Sequence, residues 1–148
     1  MPASGAHVGP IATRMRAEDR LECEAHGHTP KQALRAGLMT SADVWTAKVD
    51  GSAHAMFGLV VRSAIGGLGT PWFLGTNEVW RHPRLMMRAG LVIVDRWTDS
   101  TPTLENLVSA ANHRAIRLLR YWGFDIGSEL QMIGGHPFLT FRLDRSIV

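Results

Sequence analysis

The sequence has few of the residues that build covalently stabilised or membrane-embedded proteins. Cys23 is the single cysteine, so an internal disulfide is impossible and a disulfide-stabilised secreted scaffold is excluded. No apolar run approaches the roughly 20 residues that a membrane-spanning helix requires. Residues 1–10 lack the basic stretch followed by an apolar stretch that marks a secretory signal. These absences predict a protein of a reducing, cytoplasm-like compartment without a membrane partner.

Lysine is also scarce, and arginine supplies most of the positive charge. Fourteen of the 16 basic residues are Arg, against 13 acidic residues, and the formal net charge is +3. So small an excess is weak evidence for a nucleic-acid partner, which we therefore do not expect. Arginine makes bidentate contacts to phosphate better than lysine does. A phosphorylated small molecule, such as a coenzyme, stays open as a ligand.

What the sequence does contain is a series of helix and strand signals along 148 residues, a length typical of one domain. We predict a flexible leader at residues 1–6 and a single domain at 7–148. The predicted elements of the first half are a strand at 7–13, helices at 16–26 and 30–39, and a hairpin of strands at 45–49 and 54–61. The glycine-rich stretch at 63–70 is expected to be flexible.

The second half continues the same mixture of signals. Its predicted elements are a strand at 71–76, a long helix at 83–97, a strand at 104–110, a helix after Asn112, and a hairpin at 124–133 and 137–143. On the long helix, Met87, Leu91 and Val94 belong to a second apolar stripe, which is either buried or an interface, for example of a homodimer. The order predicts an α/β fold with a mixed, mostly antiparallel sheet of six to seven strands and helices on both faces.

The segment Asn112 to Phe124 (NHRAIRLLRYWGF) contains a helix with its own start and stop signals. Asn112 suits the N-cap of that helix, and Gly123 suits the position just beyond its end. The segment resembles the motif of the GNAT (GCN5-related N-acetyltransferase) superfamily, in which the asparagine and helix border the arm of coenzyme A. With the preceding hairpin, strand and long helix, the resemblance covers residues 8–143 and implies the GNAT fold.

Two stretches are also similar to small GNAT-like proteins of T7-like podoviruses, described as internal virion or acetyltransferase-like proteins. These stretches are PWFLGTNEVWR at residues 71–81 and NHRAIRLLRYWGF at residues 112–124. The similarity implies a bacteriophage protein that lies in the cytoplasm of an infected host cell or is associated with the virion.

The GNAT resemblance implies acetyl-CoA as cofactor and an amine or a protein lysine as acyl acceptor. The cofactor is expected between the strands at 71–76 and 104–110. In GNAT enzymes its pyrophosphate binds to backbone N–H groups at the start of the long helix. The cofactor-binding residues implied by position are Leu74, Gly75, Thr76, Arg81, His82, Arg84 and Asn112.

The sequence departs from the GNAT pattern at two places. The loop Arg81 to Met86 has no glycine, and Pro83 lacks an N–H group, so side-chain charge would have to replace backbone donors. Leu119 stands where many active relatives have a tyrosine that protonates the departing thiolate. Tyr121 lies two residues later, about 200° around a helix, and is not expected to face the same place.

Deprotonation of an amine requires a general base, and position alone suggests two candidates. Glu78 follows the strand at 71–76, and Glu105 lies at the start of the next strand; each is equally explained as a solvated charge at a strand end. Cys23, His26 and His28 have metal-like spacing, but they straddle a helix end without a second ligand cluster. We predict no metal site.

Two functions follow from the sequence. The first is an acyl-CoA-dependent N-acetyltransferase with a degenerate cofactor loop, which the fold supports. The second is a catalytically inactive GNAT-fold phage protein that binds a virion or host protein through Met87, Leu91 and Val94. The absent glycines and tyrosine support the second function.

Overall fold

The computed structural model describes residues 1–146, which form one seven-stranded sheet and five α-helices. In chain order the elements are α1 (Val8–Thr13), α2 (Ala17–Ala25), α3 (Pro30–Thr40), β1 (Asp43–Val49), β2 (Ser52–Ser63), β3 (Leu68–Gly75), α4 (Pro83–Ser100), β4 (Thr103–Ser109), α5 (His113–Tyr121), β5 (Asp125–Ile126), β6 (Gln131–Ile133) and β7 (His136–Asp144). Short 3-10 turns precede α1 and α4. None of the described helices combines the length and apolar character needed to cross a membrane.

The sheet is mixed and mostly antiparallel. Its strand order is β1-β2-β3-β4-β7-β5, and β6 pairs separately with the start of β7. Only β3 and β4 run parallel to each other among the described pairs. The predicted fold class is confirmed, and the long strands of the first hairpin turn at Asp50-Gly51 as expected.

Helices cover both faces of the sheet and bury its core. α1, α2 and α3 pack on one face, and α4 and α5 pack on the other. The first face is buried by Val8, Ile11, Leu34, Met56 and Leu74, and the second by Val94, Trp97, Leu104, Ile116 and Phe141. Each helix contributes apolar residues at helical spacing, so this burial supplies the main driving force for the two layers.

The predicted strand at 7–13 is wrong, because this segment is helix α1. The buried apolar residues of α1 are Val8, Ile11 and Ala12, and Met15, beyond the end of the helix, is also buried. Spacings of three and four residues place these side chains on one face of a helix, whereas a half-buried strand would bury alternate residues. Pro10 is compatible with α1 because it lies in the first turn, where its missing N–H has no partner to lose.

Residues 1–3, which belong to the predicted flexible leader, lie beside β1 at the edge of the sheet. The Met1 carbonyl accepts a hydrogen bond from the Thr46 N–H at 2.8 Å, and the Ala3 N–H donates to the Val44 carbonyl at 3.3 Å. Pro2 forms an isolated bridge with Trp45. The backbone of these residues therefore extends the pairing beyond β1.

The structure corrects one expectation about the middle of the chain and bears on the alternatives left open for α4. Residues 68–70, expected to be flexible, are the start of β3. On α4, Val94 is buried and Met87 and Leu91 are half-buried, so the second apolar stripe is largely covered by the protein itself, which is the first of its two expected alternatives. The exposed apolar side chains of α4 are instead Leu85 and Val92.

Candidate functional site

The parallel strands β3 and β4 pair only where they begin. Leu68 lies opposite Thr103 and Gly69 opposite Leu104, and no further pair follows along the described strands. The side-chain amide of Asn106 lies between the diverging strands, donating to the Pro71 carbonyl at 2.8 Å and accepting from the Leu107 N–H at 2.7 Å. The sheet is therefore open beyond this amide.

A cavity of about 390 Å³ occupies this opening. Phe73 and Leu74 of β3 and Leu107 and Val108 of β4 line it. One wall comes from α2 and α3, on one face of the sheet, and the other from α4 and α5, on the opposite face. Residues from both faces of the sheet therefore surround the gap between the strands.

The free edge of β3 presents backbone groups to the cavity. The Thr76 N–H donates to the His54 carbonyl on β2. Hydrogen bonds to one neighbour come from every second residue of an antiparallel strand. The backbone polar groups of the residues in between, Pro71, Phe73 and Gly75, therefore point away from β2 and towards β4. The Pro71 carbonyl is taken by Asn106, and Gly75 is held on both sides, by the Arg16 N–H and by Asp19. The N–H and C=O of Phe73 face the opening.

A buried arginine joins α2 to the start of α5. Arg16 is 2% exposed, and its guanidinium donates to Asp19 at 3.0 Å and to the Asn112 side-chain oxygen at 2.7 Å. The guanidinium also lies 4.3 Å from the centre of the Trp80 ring, an arrangement that favours a cation. Arg16 thus has charged, polar and aromatic partners, as a buried cation requires.

Two carboxylates of α2 bind the ends of the diverging strands. Asp19 accepts from the Gly75 N–H of β3 at 2.9 Å, and Glu22 accepts from the Ser109 N–H of β4 at 3.1 Å. Burial raises the pKa of Asp19 to about 7 although Arg16 acts in the opposite direction, and burial likewise raises the pKa of Glu22. One helix therefore contacts the ends of both strands through two buried carboxyl groups.

Asn112 occupies the N-cap position of α5, as its sequence position predicts, but its side chain does not cap the helix. Its amide oxygen accepts from Arg16, and its amide nitrogen donates to Glu22 at 3.1 Å. The residue is 2% exposed and lines the cavity. Asn112, implied as a cofactor contact, therefore holds the polar groups of α2 in place.

The start of α4 is cationic and lacks one backbone donor. Pro83 is its first residue, and the side chains of Arg81, His82 and Arg84 are exposed around it. Arg81 pairs with Glu78 at 3.2 Å, whereas Arg84 forms no ion pair with the residues that the structure describes. Of the implied cofactor-binding residues, these three lie together at one end of α4.

The other implied residues lie along β3 or on the surface. Leu74 lines the cavity, and the Thr76 hydroxyl is hydrogen-bonded to His54 Nδ1 at 2.8 Å. Glu105 pairs with Arg142 across β4 and β7 at 2.6 Å. Glu78 and Glu105, the expected bases, are both in surface ion pairs and are not among the described residues that line the cavity.

Leu119 lines the cavity, and Tyr121 does not contribute to its described walls. The expectation that Tyr121 points elsewhere on the helix is therefore confirmed. Trp122 packs so closely on Gly90 of α4 that a Cβ atom there would overlap its indole, and its Nε1 donates to the Met87 carbonyl at 3.1 Å. This packing fixes the distance between α4 and α5.

Trp80 forms part of the cavity wall and carries an unsatisfied donor. Its side chain is buried between Arg16 and Arg114, and its Nε1 has no hydrogen-bond partner among residues 1–146. A buried donor without a partner costs about 1–3 kcal/mol. An acceptor atom brought by a ligand or water would remove this cost.

Cys23, His26 and His28 also line the cavity, without forming a metal site. Among residues 1–146, no three His, Cys, Asp or Glu side chains lie close enough to hold a metal ion. Burial raises the pKa of Cys23 to about 12, so this cysteine is a thiol at neutral pH and a poor nucleophile.

Arg16, Asp19 and Glu22 line or support the cavity but are not predicted as site residues from the sequence. Their spacing of three residues places them on one helical face, next to the buried Cys23. That spacing is the signal that could find them, because polar residues that share a helix face with a core residue are themselves candidates for burial. Their partners on β3, β4 and α5 lie too far along the chain to be inferred from spacing.

No protein-family model and no curated protein sequence matches the chain. Solved structures do match. A ribosomal-protein-alanine N-acetyltransferase from Brucella melitensis has a TM-score of 0.71 at 14% identity, covering 97% of this chain and 98% of that one. The aminoglycoside acetyltransferase AAC(6')-Ib, in complex with ribostamycin and coenzyme A, has a TM-score of 0.69 at 14% identity, covering 98% of this chain and 92% of that one.

A third match is a ribosomal L7/L12 α-N-protein acetyltransferase in complex with coenzyme A. Its TM-score is 0.66 at 8% identity, and the match covers 97% of this chain and 91% of that one. The agreement extends over almost the whole chain in each case, at identities that show the fold alone. The chain has the fold of the GNAT acetyltransferases.

Proposed function

We propose that the protein is an acyl-CoA-dependent N-acyltransferase of the GNAT superfamily, which transfers an acetyl group to an amine. The observation that carries the proposal is the opening between β3 and β4, where the backbone of Phe73 faces a cavity that is lined by residues from both faces of the sheet. Several structures with the same fold contain coenzyme A or acetyl-CoA.

The residues present fit the arm of acetyl-CoA, with a different phosphate site from the one common in the superfamily. Phe73 offers an N–H and a C=O to an amide-containing chain. Arg84 and Arg81 would hold the phosphates by side-chain charge where glycine N–H groups usually do so. When bound, acetyl-CoA supplies the acyl group as a reactive thioester.

The acceptor side is the wall formed by α2 and α3. Glu22 lies in that wall with only one of its two carboxylate oxygens in a described hydrogen bond, and a carboxylate favours a cationic ligand such as an ammonium group. An amine, free or on a protein lysine, is therefore the acceptor class that we propose. The acetyl group would pass through the opening from one side of the sheet to the other.

Calorimetric titration with acetyl-CoA tests the proposal. We expect saturable binding below millimolar ligand, and we expect Arg84→Glu to weaken it by about tenfold or more, because one phosphate contact is lost and replaced by repulsion. Arg35→Glu is the matched control, since Arg35 is an exposed arginine on α3, on the other face of the sheet. Absence of binding at millimolar acetyl-CoA would contradict the proposal.

The second candidate is a catalytically inactive GNAT-fold protein of a bacteriophage, which binds a virion or host protein. The loop Arg81 to Met86 without glycine and Leu119 in the cavity wall favour it. Its binding surface, which a homodimer would share, would include the exposed Leu85 and Val92 of α4. Its location would be the infected cell's cytoplasm or the virion. Light scattering that shows a monomer, combined with acetyl-CoA binding, would remove this candidate.

A further inference from the structure

The two oxygens of the Glu22 carboxylate have different surroundings. Oε1 accepts from the Ser109 N–H and from the Asn112 amide nitrogen, both at 3.1 Å. Oε2 forms no hydrogen bond or ion pair with residues 1–146, and it is not among the fully buried atoms that lack a partner. Oε2 is therefore partly accessible, and Glu22 is one of the residues that line the cavity between β3 and β4.

The neighbouring carboxylate, Asp19, is arranged differently. One of its oxygens accepts from Arg16 at 3.0 Å, and the other accepts from the Gly75 N–H at 2.9 Å. Both oxygens are engaged in the protein, so Asp19 holds α2 against β3. Glu22 has one oxygen for holding its own position and one that is available to a ligand.

We propose that Glu22 Oε2 binds the acceptor amine and removes its proton, which assigns a primary ammonium group as the acceptor chemistry. The assignment rests on the proposed function. Glu22 and Phe73 line the same cavity, from the acceptor wall and from the strand edge respectively. The carboxylate is thus on the side from which an acceptor would approach the opening.

The proposed transfer exchanges a carbon–sulfur bond for a carbon–nitrogen bond and removes two protons from the acceptor nitrogen. An ammonium group gives one proton to Glu22 Oε2 and becomes a neutral amine. The amine nitrogen forms a bond to the acyl carbon of the thioester. The carbon–sulfur bond breaks, and its electron pair goes to sulfur. The second proton on nitrogen then passes to sulfur through solvent. Glu22 then releases its proton to solvent, which restores the carboxylate.

The charged groups around Glu22 set its basicity. Burial raises the pKa of Glu22. The hydrogen bonds from Asn112 and Ser109 act in the opposite direction, and so do the charges of Arg16 and His26. Two other carboxylates, Asp19 and Glu18, share the Arg16 cation, each at 3.0 Å. A carboxylate with a raised pKa is a better proton acceptor near neutral pH than an exposed glutamate is.

Glu22→Gln tests the assignment and keeps the fold, because the glutamine oxygen can accept the two hydrogen bonds that Oε1 accepts now. Glu24→Gln is the matched control, since Glu24 is an exposed glutamate on the same helix. We expect Glu22→Gln to lower the rate of acetyl transfer to n-butylamine by about 100-fold or more. Acetyl-CoA affinity should stay the same in both variants.

A second readout does not depend on turnover. In protein labelled with ¹³C at the glutamate carboxyl carbons, n-butylammonium chloride should shift the Glu22 resonance and leave that of Glu24 unchanged. An unshifted Glu22 resonance, or a Glu22→Gln variant with the wild-type rate, overturns the assignment even if acetyl-CoA binds. Failure of the wild-type protein to bind acetyl-CoA instead overturns the proposed function on which the assignment rests.

Discussion

The two walls of the cavity are built by different kinds of interaction. The α2 wall is polar and buried, and its hydrogen bonds join Arg16, Asp19 and Glu22 to β3, β4 and α5. The α4 wall is held by apolar packing, notably Trp122 on Gly90, and its charges are exposed at the start of the helix. A second, almost wholly apolar cavity of about 300 Å³ lies under α4.

The difference shows which side of the site is organised before a ligand binds. A satisfied buried network fixes side chains in one geometry, whereas exposed arginines sample many rotamers and lose that freedom when they bind a phosphate. The α2 wall, the proposed acceptor side, therefore has positioned groups, and the start of α4, the proposed cofactor side, depends on charges that a ligand must order. Weak coenzyme binding and a selective acceptor pocket are the expected combination.

The largest effect that separates the walls is expected for Arg16→Met. It removes the cation beside Asp19 but keeps a similar apolar stem against Trp80, so a buried carboxyl loses its counter-charge. We expect the free energy of unfolding to fall by about 3–5 kcal/mol at pH 8, measured by urea denaturation. Arg14→Met, at an exposed position outside any described ion pair, should change it by less than about 0.5 kcal/mol. Equal losses would mean that the network does not organise the wall.

The pH dependence of stability isolates Asp19 within the same wall. Burial raises its pKa from 3.8 to about 7, so between these values the folded protein binds more protons than the unfolded chain. The contribution of Asp19 to stability must therefore fall as the pH rises from about 4 to 7. Asp19→Asn removes this contribution. The stability of the wild type relative to the variant should decrease across that range and level off above it; a flat difference would show that Asp19 titrates normally.

The packing of the α4 wall is tested by Gly90→Ala. The new Cβ atom would overlap the Trp122 indole, so the indole must move and its hydrogen bond to the Met87 carbonyl is lost. We expect a destabilisation of about 1–3 kcal/mol. Gly9→Ala, in helix α1 with no atom within 4 Å of the new Cβ, is the control and should be neutral or slightly stabilising. A neutral Gly90→Ala would show that α4 and α5 are free to separate.

Local patterns in the sequence predict most of the fold. The capping residues of α3 and the Asp50-Gly51 turn act within a few residues, and the structure has both. The strand predicted at 7–13 is wrong, and the spacing of three residues between Val8 and Ile11 fits a helix rather than a strand. The helix packs against α3 and β2, and local spacing does not contain these contacts.

The candidate site is less predictable because its contacts join distant parts of the chain. The sequence places Asn112 correctly at the N-cap of α5, but its partners, Arg16 and Glu22, are 96 and 90 residues away. The motif locates the residue, and only the tertiary structure shows what it binds. Glu78 and Glu105 are suggested by their positions along strands, which do not distinguish a surface ion pair from a cavity wall.

The smallest effects are expected for those two glutamates. Glu105→Gln breaks a largely exposed ion pair with Arg142 and should cost at most about 1 kcal/mol in urea denaturation. Glu78→Gln leaves Arg81 and His82 without their shared carboxylate at the start of α4, which makes that end more positive. We expect it to strengthen acetyl-CoA binding slightly and to leave the transfer rate at saturating acetyl-CoA within about threefold of the wild type. A loss of rate comparable to that of Glu22→Gln would move the base from the polar α2 wall to the start of α4, and would reverse the roles of the two walls.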